Sequence, residues 1–161
     1  AKAYSIIVNG GYNIHPRLIK NDKKNKKEKI LKNDVSLKIL PILRKVVTTK
    51  EGTASLANVE GYEIGGKTGT AQKSSLGTYS DDKKINTFIS VFPTSKPKYV
   101  LALMLDEPKI NNDYIYEYRD GSNFRLKGSP RNTAGWNSVE VSGHIVEKIG
   151  PILATKYSDI D

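Results

Sequence analysis

Residues 85–105, INTFISVFPTSKPKYVLALML, determine the fold class of this chain of 161 residues. The runs 85–92 and 99–105 are rich in β-branched, aromatic and aliphatic residues, a composition that favours strands. The linker between them, PTSKPK, has six residues. A parallel connection needs a dozen residues or more, so this short linker predicts a hairpin and an antiparallel pair of strands.

A third strand and two helices are predicted ahead of the hairpin. Residues 62–73 mix Gly and Thr with apolar residues and predict a third antiparallel strand. Residues 1–9 predict a short helix, and apolar residues at helical spacing over 35–47 predict a second one with Asp34 as its N-cap. Pro41 lies inside that second pattern, where proline costs about 3 kcal/mol. We therefore expect a kink there, or a helix that begins closer to Pro41.

The C-terminal region predicts irregular chain followed by one helix. Residues 107–133 are rich in Asn, Asp, Gly and Pro. Tyr114, Tyr116 and Tyr118 alternate in this region and should share one face. That face is expected to pack on the domain itself or to contact a partner. Asn137 with Glu140 predicts a capped start for the final helix, and Gly150-Pro151 predicts its bend or end. The predicted buried stripe of this helix is Val141, Ile145, Ile149 and Ile152. This order of elements predicts an α+β fold, with a three-stranded antiparallel sheet flanked by helices.

Composition excludes several classes of protein. The chain has no cysteine, which excludes a disulfide scaffold, a thiolate zinc site and a cysteine nucleophile. Its longest apolar run, residues 99–105, is far shorter than the roughly 20 residues of a membrane helix. Of the formal net charge of +9, residues 20–29, KNDKKNKKEK, carry a net +4. A solvated loop is the favoured interpretation of this run, and a contact with nucleic acid or anionic lipid is the alternative.

Residues 61–68, GYEIGGKT, match every fixed position of the nucleotide-binding P-loop. A P-loop needs a helix directly after the motif, because the amides of that helix's N-terminus hold the phosphates. The residues that follow, GTAQKSSLGTYSDDKK, contain two glycines and no helical apolar pattern. The sequence context therefore argues against a nucleotide site.

The tetrad Lys67-Thr68-Gly69-Thr70 suits a different chemistry. A cation beside two hydroxyls can hold a carboxylate through charge-assisted hydrogen bonds. A glycine in a strand lets a substrate or another backbone approach closely, and a backbone N–H on a strand that faces the site can stabilise an oxyanion. These features together suit acyl transfer on a peptide with a free C-terminal carboxylate.

The tetrad contains K-T-G, the third signature of penicillin-binding proteins and class A β-lactamases. Residues 65–73, GGKTGTAQK, resemble the class B penicillin-binding proteins, which are monofunctional peptidoglycan transpeptidases. Residues 3–11 resemble the helix that follows the second motif in that family, and residues 43–64 resemble the run into the third motif. Residues 88–108 and 133–153 resemble its closing strands and C-terminal helix, and they favour the division-specific subgroup.

The resemblance implies a role for each residue of the tetrad. Lys67 would orient the substrate carboxylate and add positive potential, and the hydroxyls of Thr68 and Thr70 would bind the same carboxylate. The backbone N–H of Thr70 would form half of the oxyanion hole, and Gly69 would keep the strand open to substrate. The implied partners are peptidoglycan stem peptides, β-lactam antibiotics and membrane proteins of the division machinery, with no nucleic acid, metal or cofactor.

The family's S-x-x-K and S-x-N motifs precede K-T-G, and neither pattern lies ahead of Lys67 in this chain. An activated serine needs its base within hydrogen-bond reach. We therefore expect the nucleophile to lie ahead of Ala1, residues 1–161 to form the C-terminal portion of the transpeptidase domain, and the chain alone to be inactive. The resemblance places the parent protein at the periplasmic face of the bacterial inner membrane, held by an N-terminal anchor.

Two other interpretations stay open at this stage. One is a fragment of a serine β-lactamase or β-lactam sensor of the same fold. The other is a basic module that binds nucleic acid or lipid through residues 20–29. His15 and His144 have no partner at the spacing of a metal site or a catalytic triad and are predicted to be structural, and Asp106 with Glu107 is predicted to be a solvated strand end.

Overall fold

The computed structural model describes residues 1–19, 28–75, 77–129 and 131–158, so most of the predicted basic loop at 20–29 lies outside the described residues. The described part has three α-helices, α1 (Lys2–Val8), α2 (Asn33–Thr48) and α3 (Ser138–Ser158). It has five strands: β1 (Gly65–Ser75), β2 (Thr78–Phe92), β3 (Tyr99–Asp106), β4 (Ile115–Glu117) and β5 (Arg125–Lys127). Short 3₁₀ turns lie at Ser55–Ala57 and Ala134–Trp136. Within these residues, no helix combines the length and the apolar character needed to cross a membrane.

The main sheet confirms the predicted antiparallel arrangement. Its order is β1-β2-β3, and both pairs are antiparallel. Thr68 lies opposite Phe88 and Thr70 lies opposite Asn86 across the β1–β2 pair. β1 is an edge strand of this sheet. The predicted α+β class and the hairpin of β2 and β3 are therefore confirmed.

Helices cover both faces of the sheet. Side chains alternate along a strand, so Phe88 and Val91 of β2 point to opposite faces, and both are fully buried. Phe88 belongs to a core that includes Val139 and Val146 of α3. Val91 packs instead with Leu43 of α2 in a second core that also takes in α1. The sheet is thus a middle layer, with α3 on one side and α1 and α2 on the other.

Helix α2 differs from its prediction at both its start and its interior. Its N-cap is Lys32, so Asp34 lies in the first turn and does not cap the helix. Pro41 lies inside the helix, and the predicted start near Pro41 is wrong. Proline cannot bond the carbonyl of Leu37, but Leu37 is 61% exposed, on the side of the helix that faces water. Burial of Leu43 on the opposite side helps to offset the cost of the proline.

The predicted buried stripe of α3 is also wrong. Val141, Ile149 and Ile152 are exposed, with Ile152 at 67%, and Ile145 alone of the predicted four is partly buried. The buried face contains Val139 and Val146 together with small residues. A Cβ on Gly143 would lie 2.8 Å from the carbonyl oxygen of Leu56, and a Cβ on Gly150 would lie 2.3 Å from the ring of Tyr62. The helix therefore packs through its smallest residues, and it continues through Pro151 to Ser158, so the predicted end at 150–151 is wrong.

The region predicted as irregular chain, 107–133, contains the hairpin of β4 and β5. Tyr116 on β4 is 6% exposed and packs edge-to-face with Trp136, with their ring centroids 5.1 Å apart. Tyr114 packs on Tyr116, and Tyr118 packs on Phe124. The alternating tyrosines therefore pack on their own domain, which was one of the two predicted alternatives, the other being contact with a partner.

Candidate active site

The Lys67–Thr70 tetrad lies in the first half of the edge strand β1. Alternation puts the side chains of Thr68 and Thr70 on one face of the strand and Lys67 on the other. Lys67 is exposed, and its Nζ donates to the carbonyl oxygen of Thr68 at 2.6 Å. β1 continues to Ser75, so no helix follows the lysine, as the argument against a P-loop predicted.

A cleft of about 460 Å³ lies beside this strand. The sequence-predicted residues Thr68 and Thr70 line it, whereas Lys67 and Gly69 do not. The rest of the wall comes from two segments that sequence reasoning missed, 50–56 and 131–136, and from Tyr118. The full lining is Lys50, Gly52, Thr53, Ser55, Leu56, Thr68, Thr70, Tyr118, Arg131, Thr133, Ala134, Gly135 and Trp136.

Both threonine hydroxyls have a partner that constrains their hydrogens. The backbone N–H of Ala134 donates to Oγ1 of Thr70 at 3.0 Å. An N–H can only donate, so the oxygen of Thr70 is the acceptor and its own hydrogen is left for a ligand. Oγ1 of Thr68 lies 2.8 Å from Oγ1 of Thr53, and either can be the donor. When Thr68 donates to a ligand, Thr53 becomes the donor in that pair.

Glycines allow close contacts at two places around the tetrad. A Cβ on Gly69 would lie 2.6 Å from Oγ1 of Thr87, whose hydroxyl donates to the carbonyl oxygen of Gly69. A Cβ on Gly135 would lie 2.8 Å from the carbonyl oxygen of Thr53. The two missed segments therefore meet each other directly at the cleft. Local sequence offers one signal for them, the small residues of GTA at 52–54 and TAG at 133–135.

The chemistry of the cleft wall favours an anionic ligand. Lys50 and Arg131 are exposed cations in the lining, and the described lining residues include no Asp or Glu. Tyr118 and Trp136 add aromatic surface. Hydroxyl donors, cations and aromatic rings around one cleft can bind a carboxylate and the apolar groups next to it.

A polar cluster outside the cleft fixes the β4 region to α3. Arg119 donates to both carboxylate oxygens of Glu147, at 2.7 and 3.1 Å, and this pairing lowers the pKa of Glu147. The Tyr114 hydroxyl lies 3.1 Å from Oε1 of Glu140 and 3.2 Å from Nε2 of His144. Burial, together with the charge of Glu140, raises the pKa of Tyr114 to about 12. Tyr118 of the cleft wall directly precedes Arg119, so this cluster supports the wall.

The carboxylates at the end of β3 are ion-paired. Nζ of Lys73 lies 2.8 Å from Asp106 and 2.9 Å from Glu107. Hydrogen bonding to these two groups raises the pKa of Lys73, and the bond from Lys73 lowers the pKa of Glu107. The three residues connect β1 to β3 across β2 and do not line the cleft.

Two serine–lysine pairs match S-x-x-K in spacing but follow the tetrad in the chain. Ser80 and Lys83 both lie in β2, where the register with β1 shifts, and Oγ of Ser80 accepts from the backbone N–H of Lys83 at 3.2 Å. Ser95 and Lys98 lie in the connection between β2 and β3. Neither pair lines the cleft. Among the described residues, no group of three His, Cys, Asp or Glu side chains could hold a metal ion.

Comparison with known proteins connects this geometry to one family. The family model for the penicillin binding protein transpeptidase domain matches residues 1–123. A probable peptidoglycan D,D-transpeptidase FtsI of Caulobacter vibrioides is 29% identical over 97% of this chain and 26% of its own length. A probable peptidoglycan D,D-transpeptidase PenA of Neisseria flavescens is 32% identical over 71% of this chain and 28% of its own. The chain thus spans about a quarter of the length of these two relatives.

Solved structures share the fold. Penicillin binding protein 3 of Mycobacterium tuberculosis, in its apo form, superimposes with a TM-score of 0.68 and 26% identity over 92% of this chain and 34% of its own. The same protein in complex with aztreonam gives the same TM-score. The transpeptidase domain of Burkholderia pseudomallei penicillin-binding protein 3 has a TM-score of 0.69 at 24% identity, over 94% of this chain and 40% of its own. The sheet and helices described above are therefore the fold of part of such a domain.

Proposed function

The chain belongs to the penicillin-binding protein transpeptidase domain family, and we propose that it forms the K-T-G wall of a peptidoglycan D,D-transpeptidase site. The observation that carries this proposal is the shared cleft of Thr68 and Thr70, whose hydroxyls each have an orienting partner. A wall of oriented hydroxyls with cations nearby fits the terminal carboxylate of a stem peptide. It also fits the carboxylate of a β-lactam, and a relative of the same fold is in complex with aztreonam.

The tetrad residues take distinct roles in this proposal. Thr68 and Thr70 donate to the substrate carboxylate, and Lys67 on the opposite face of β1 supplies positive potential. The backbone N–H of Thr70 forms half of the oxyanion hole. Gly69 keeps the strand close-packed against Thr87 and open toward substrate.

The nucleophile of the proposed reaction comes from sequence ahead of Ala1. Its serine oxygen attacks the carbonyl carbon of the penultimate residue of the stem peptide, forming an acyl-serine ester, and the terminal residue leaves as an amine. An amine of a second stem peptide then attacks the ester, which forms the cross-link and returns the proton to the serine. Residues 1–161 supply substrate binding and oxyanion stabilisation to both steps. No metal or cofactor takes part.

The placement of the parent protein follows from the same resemblance. We propose that it is anchored by an N-terminal segment, with its transpeptidase domain at the periplasmic face of the bacterial inner membrane. We also propose a role in septum building together with membrane proteins of the division machinery; the relatives named FtsI support the division role.

Covalent labelling tests the proposal. A fluorescent penicillin should label the full-length protein and leave the 161-residue chain unlabelled. Labelling of the full-length protein should be stable to denaturation, as an acyl ester is. Absence of label on a folded full-length protein would contradict the transpeptidase assignment, and rapid hydrolysis of the drug would favour a β-lactamase. Label on the 161-residue chain would show that its nucleophile lies within these residues.

A further inference from the structure

Asn132 makes three hydrogen bonds through one side-chain amide. Its Oδ1 accepts from Nδ2 of Asn86 at 3.0 Å and from Nδ2 of Asn137 at 3.1 Å. Its Nδ2 donates to the carbonyl oxygen of Pro108 at 2.6 Å. The side chain is partly buried and does not line the cleft.

These partners belong to three different parts of the fold. Asn86 is fully buried in β2, directly opposite Thr70 of β1. Pro108 follows the end of β3, and Asn137 accepts the N–H of Ser138 at the start of α3. One amide therefore fixes the backbone at residue 132 to the middle and edge of the sheet and to the following helix. Networks of satisfied buried hydrogen bonds hold a segment in one position.

The segment fixed in this way reaches the tetrad two residues later. Ala134 is 1% exposed, and its N–H donates to Oγ1 of Thr70. Gly135 lies against the backbone of Thr53, so the segment has little room to shift. The position of the Ala134 N–H, and with it the direction of the Thr70 hydroxyl, depends on this packing.

We propose that Asn132 is a positioning residue of the carboxylate site, acting through the Ala134 N–H on the hydroxyl of Thr70. This inference rests on the proposed function, which gives the Thr70 hydroxyl to the substrate carboxylate. Without the Asn132 amide, the buried Nδ2 of Asn86 has no acceptor and the segment loses its attachment to the sheet. The Ala134 N–H then no longer holds Thr70 as an acceptor, and the carboxylate loses a well-directed donor.

The test measures the second-order rate of acylation of the full-length protein by a fluorescent penicillin with a free carboxylate. Asn132→Ala should lower this rate about tenfold, because small displacements of a binding group reduce rates by one to two orders of magnitude. In a Thr70→Val background, Asn132→Ala should lower it by less than about twofold, since coupled residues are not additive. Asn13→Ala is the matched control, because the Asn13 amide donates to Oε2 of Glu28 at 2.9 Å and neither residue lines the cleft. It should leave the rate unchanged.

The outcomes separate this inference from the proposed function. An unlabelled wild-type protein would overturn the proposed function. A labelled wild type with an unchanged rate for Asn132→Ala would overturn the inference alone, as would an equal loss in the Thr70→Val background. If Asn132→Ala does not fold, Ala134→Pro removes the same N–H at the first position of a 3₁₀ turn, after the extended residue Thr133. Its rate should fall to that of Thr70→Val, and a wild-type rate would overturn the inference.

Discussion

Thr68 and Thr70 carry the same side chain, yet their hydrogens are constrained by different partners. Thr70 receives a backbone N–H, so its oxygen is the acceptor in that hydrogen bond. Thr68 shares a bond with the hydroxyl of Thr53, and that bond can reverse its direction. In the proposed site, Thr70 is therefore preorganised to donate to a ligand, whereas Thr68 adapts when the ligand arrives.

The first prediction concerns the Thr70 hydroxyl in the full-length protein. Thr70→Val should slow acylation by penicillin tenfold or more, because a hydrogen bond to a charged group contributes about 1.5–3 kcal/mol. Thr70→Ser keeps the hydroxyl and should stay within about threefold of wild type on the same scale. The control is Thr87→Val. The hydroxyl of Thr87 donates to the carbonyl oxygen of Gly69, and Thr87 does not line the cleft. Equal rates for the Val and Ser variants at position 70 would contradict the role of the hydroxyl.

The second prediction separates packing from substrate access at Gly69. A Cβ there would lie 2.6 Å from Oγ1 of Thr87, so Gly69→Ala should destabilise the protein by about 1–3 kcal/mol in urea unfolding. Thr87→Ala removes the clashing oxygen, and the double variant should recover most of the lost stability. If acylation stays slow in that stable double variant, Gly69 is also needed for access. If Gly69→Ala has wild-type stability, the structure around Gly69 accommodates the added methyl group with no loss in the free energy of unfolding.

Helix α3 shows how an element can pack through residues that a hydrophobic pattern ignores. Its apolar residues Val141, Ile149 and Ile152 face water, while Gly143 and Gly150 meet the backbone of Leu56 and the ring of Tyr62. Small residues let a helix approach closely, and the contact area then comes from backbone and from neighbouring side chains.

The third prediction follows from this packing. Gly150→Ala would gain about 1 kcal/mol of helix propensity at an exposed site, but here its Cβ falls 2.3 Å from the ring of Tyr62. We expect a net loss of about 1–2 kcal/mol in the free energy of unfolding, measured by urea denaturation. Ile152→Ala is the matched change on the exposed face and should stay within about 0.5 kcal/mol of wild type. A larger loss for Ile152→Ala than for Gly150→Ala would restore the stripe that periodicity predicted.

Elements defined by local pattern were predictable, and those defined by distant contacts were not. The β2–β3 hairpin has two long apolar runs and a short linker, so chain connectivity alone specifies it. β4 and β5 have three residues each, too few to be recognised as paired strands, although the alternating tyrosines at 114–118 indicate a shared face at β4. The helical pattern over 35–47 is readable from the sequence, but local pattern does not decide whether the helix continues through Pro41, because burial of Leu40 and Leu43 in the core stabilises the continuous helix.

At the scale of the molecule, the sequence predicts the strand that forms one wall of the candidate cleft, where only Thr68 and Thr70 of the tetrad line it, and does not predict the other wall. Lys67-Thr68-Gly69-Thr70 is contiguous, and its chemistry is readable from residue types. Ala134 lies 64 residues beyond Thr70, and only the packing of α3 and the post-β3 chain brings it to β1. No property of the sequence around Asn132 shows that its amide joins β2, the end of β3 and the start of α3.

The fourth prediction concerns the cluster that joins β4 to α3 and its response to alkali. Tyr114 has its pKa raised from 10 to about 12, so the unfolded chain loses this proton at lower pH than the folded protein does. The neutral phenol should make its full contribution to the free energy of unfolding below pH 10, and this contribution should decline as the pH rises toward 12. Urea unfolding from pH 8 to 12 measures this decline, and absorbance at 295 nm reports tyrosinate directly.

Lysines also titrate in that range, so the Tyr114→Phe variant provides the reference. Its stability should fall less steeply above pH 10 than that of wild type, and it should be lower at pH 8 because the bonds to Glu140 and His144 are lost. Tyr79→Phe is the matched control, because Tyr79 is 76% exposed, and it should keep the wild-type slope. If the free energy of unfolding falls with pH along parallel curves for wild type and Tyr114→Phe, then Tyr114 ionises alike in the folded and the unfolded states. The cluster would then support the Tyr118 side of the cleft through Arg119 and Glu147 alone.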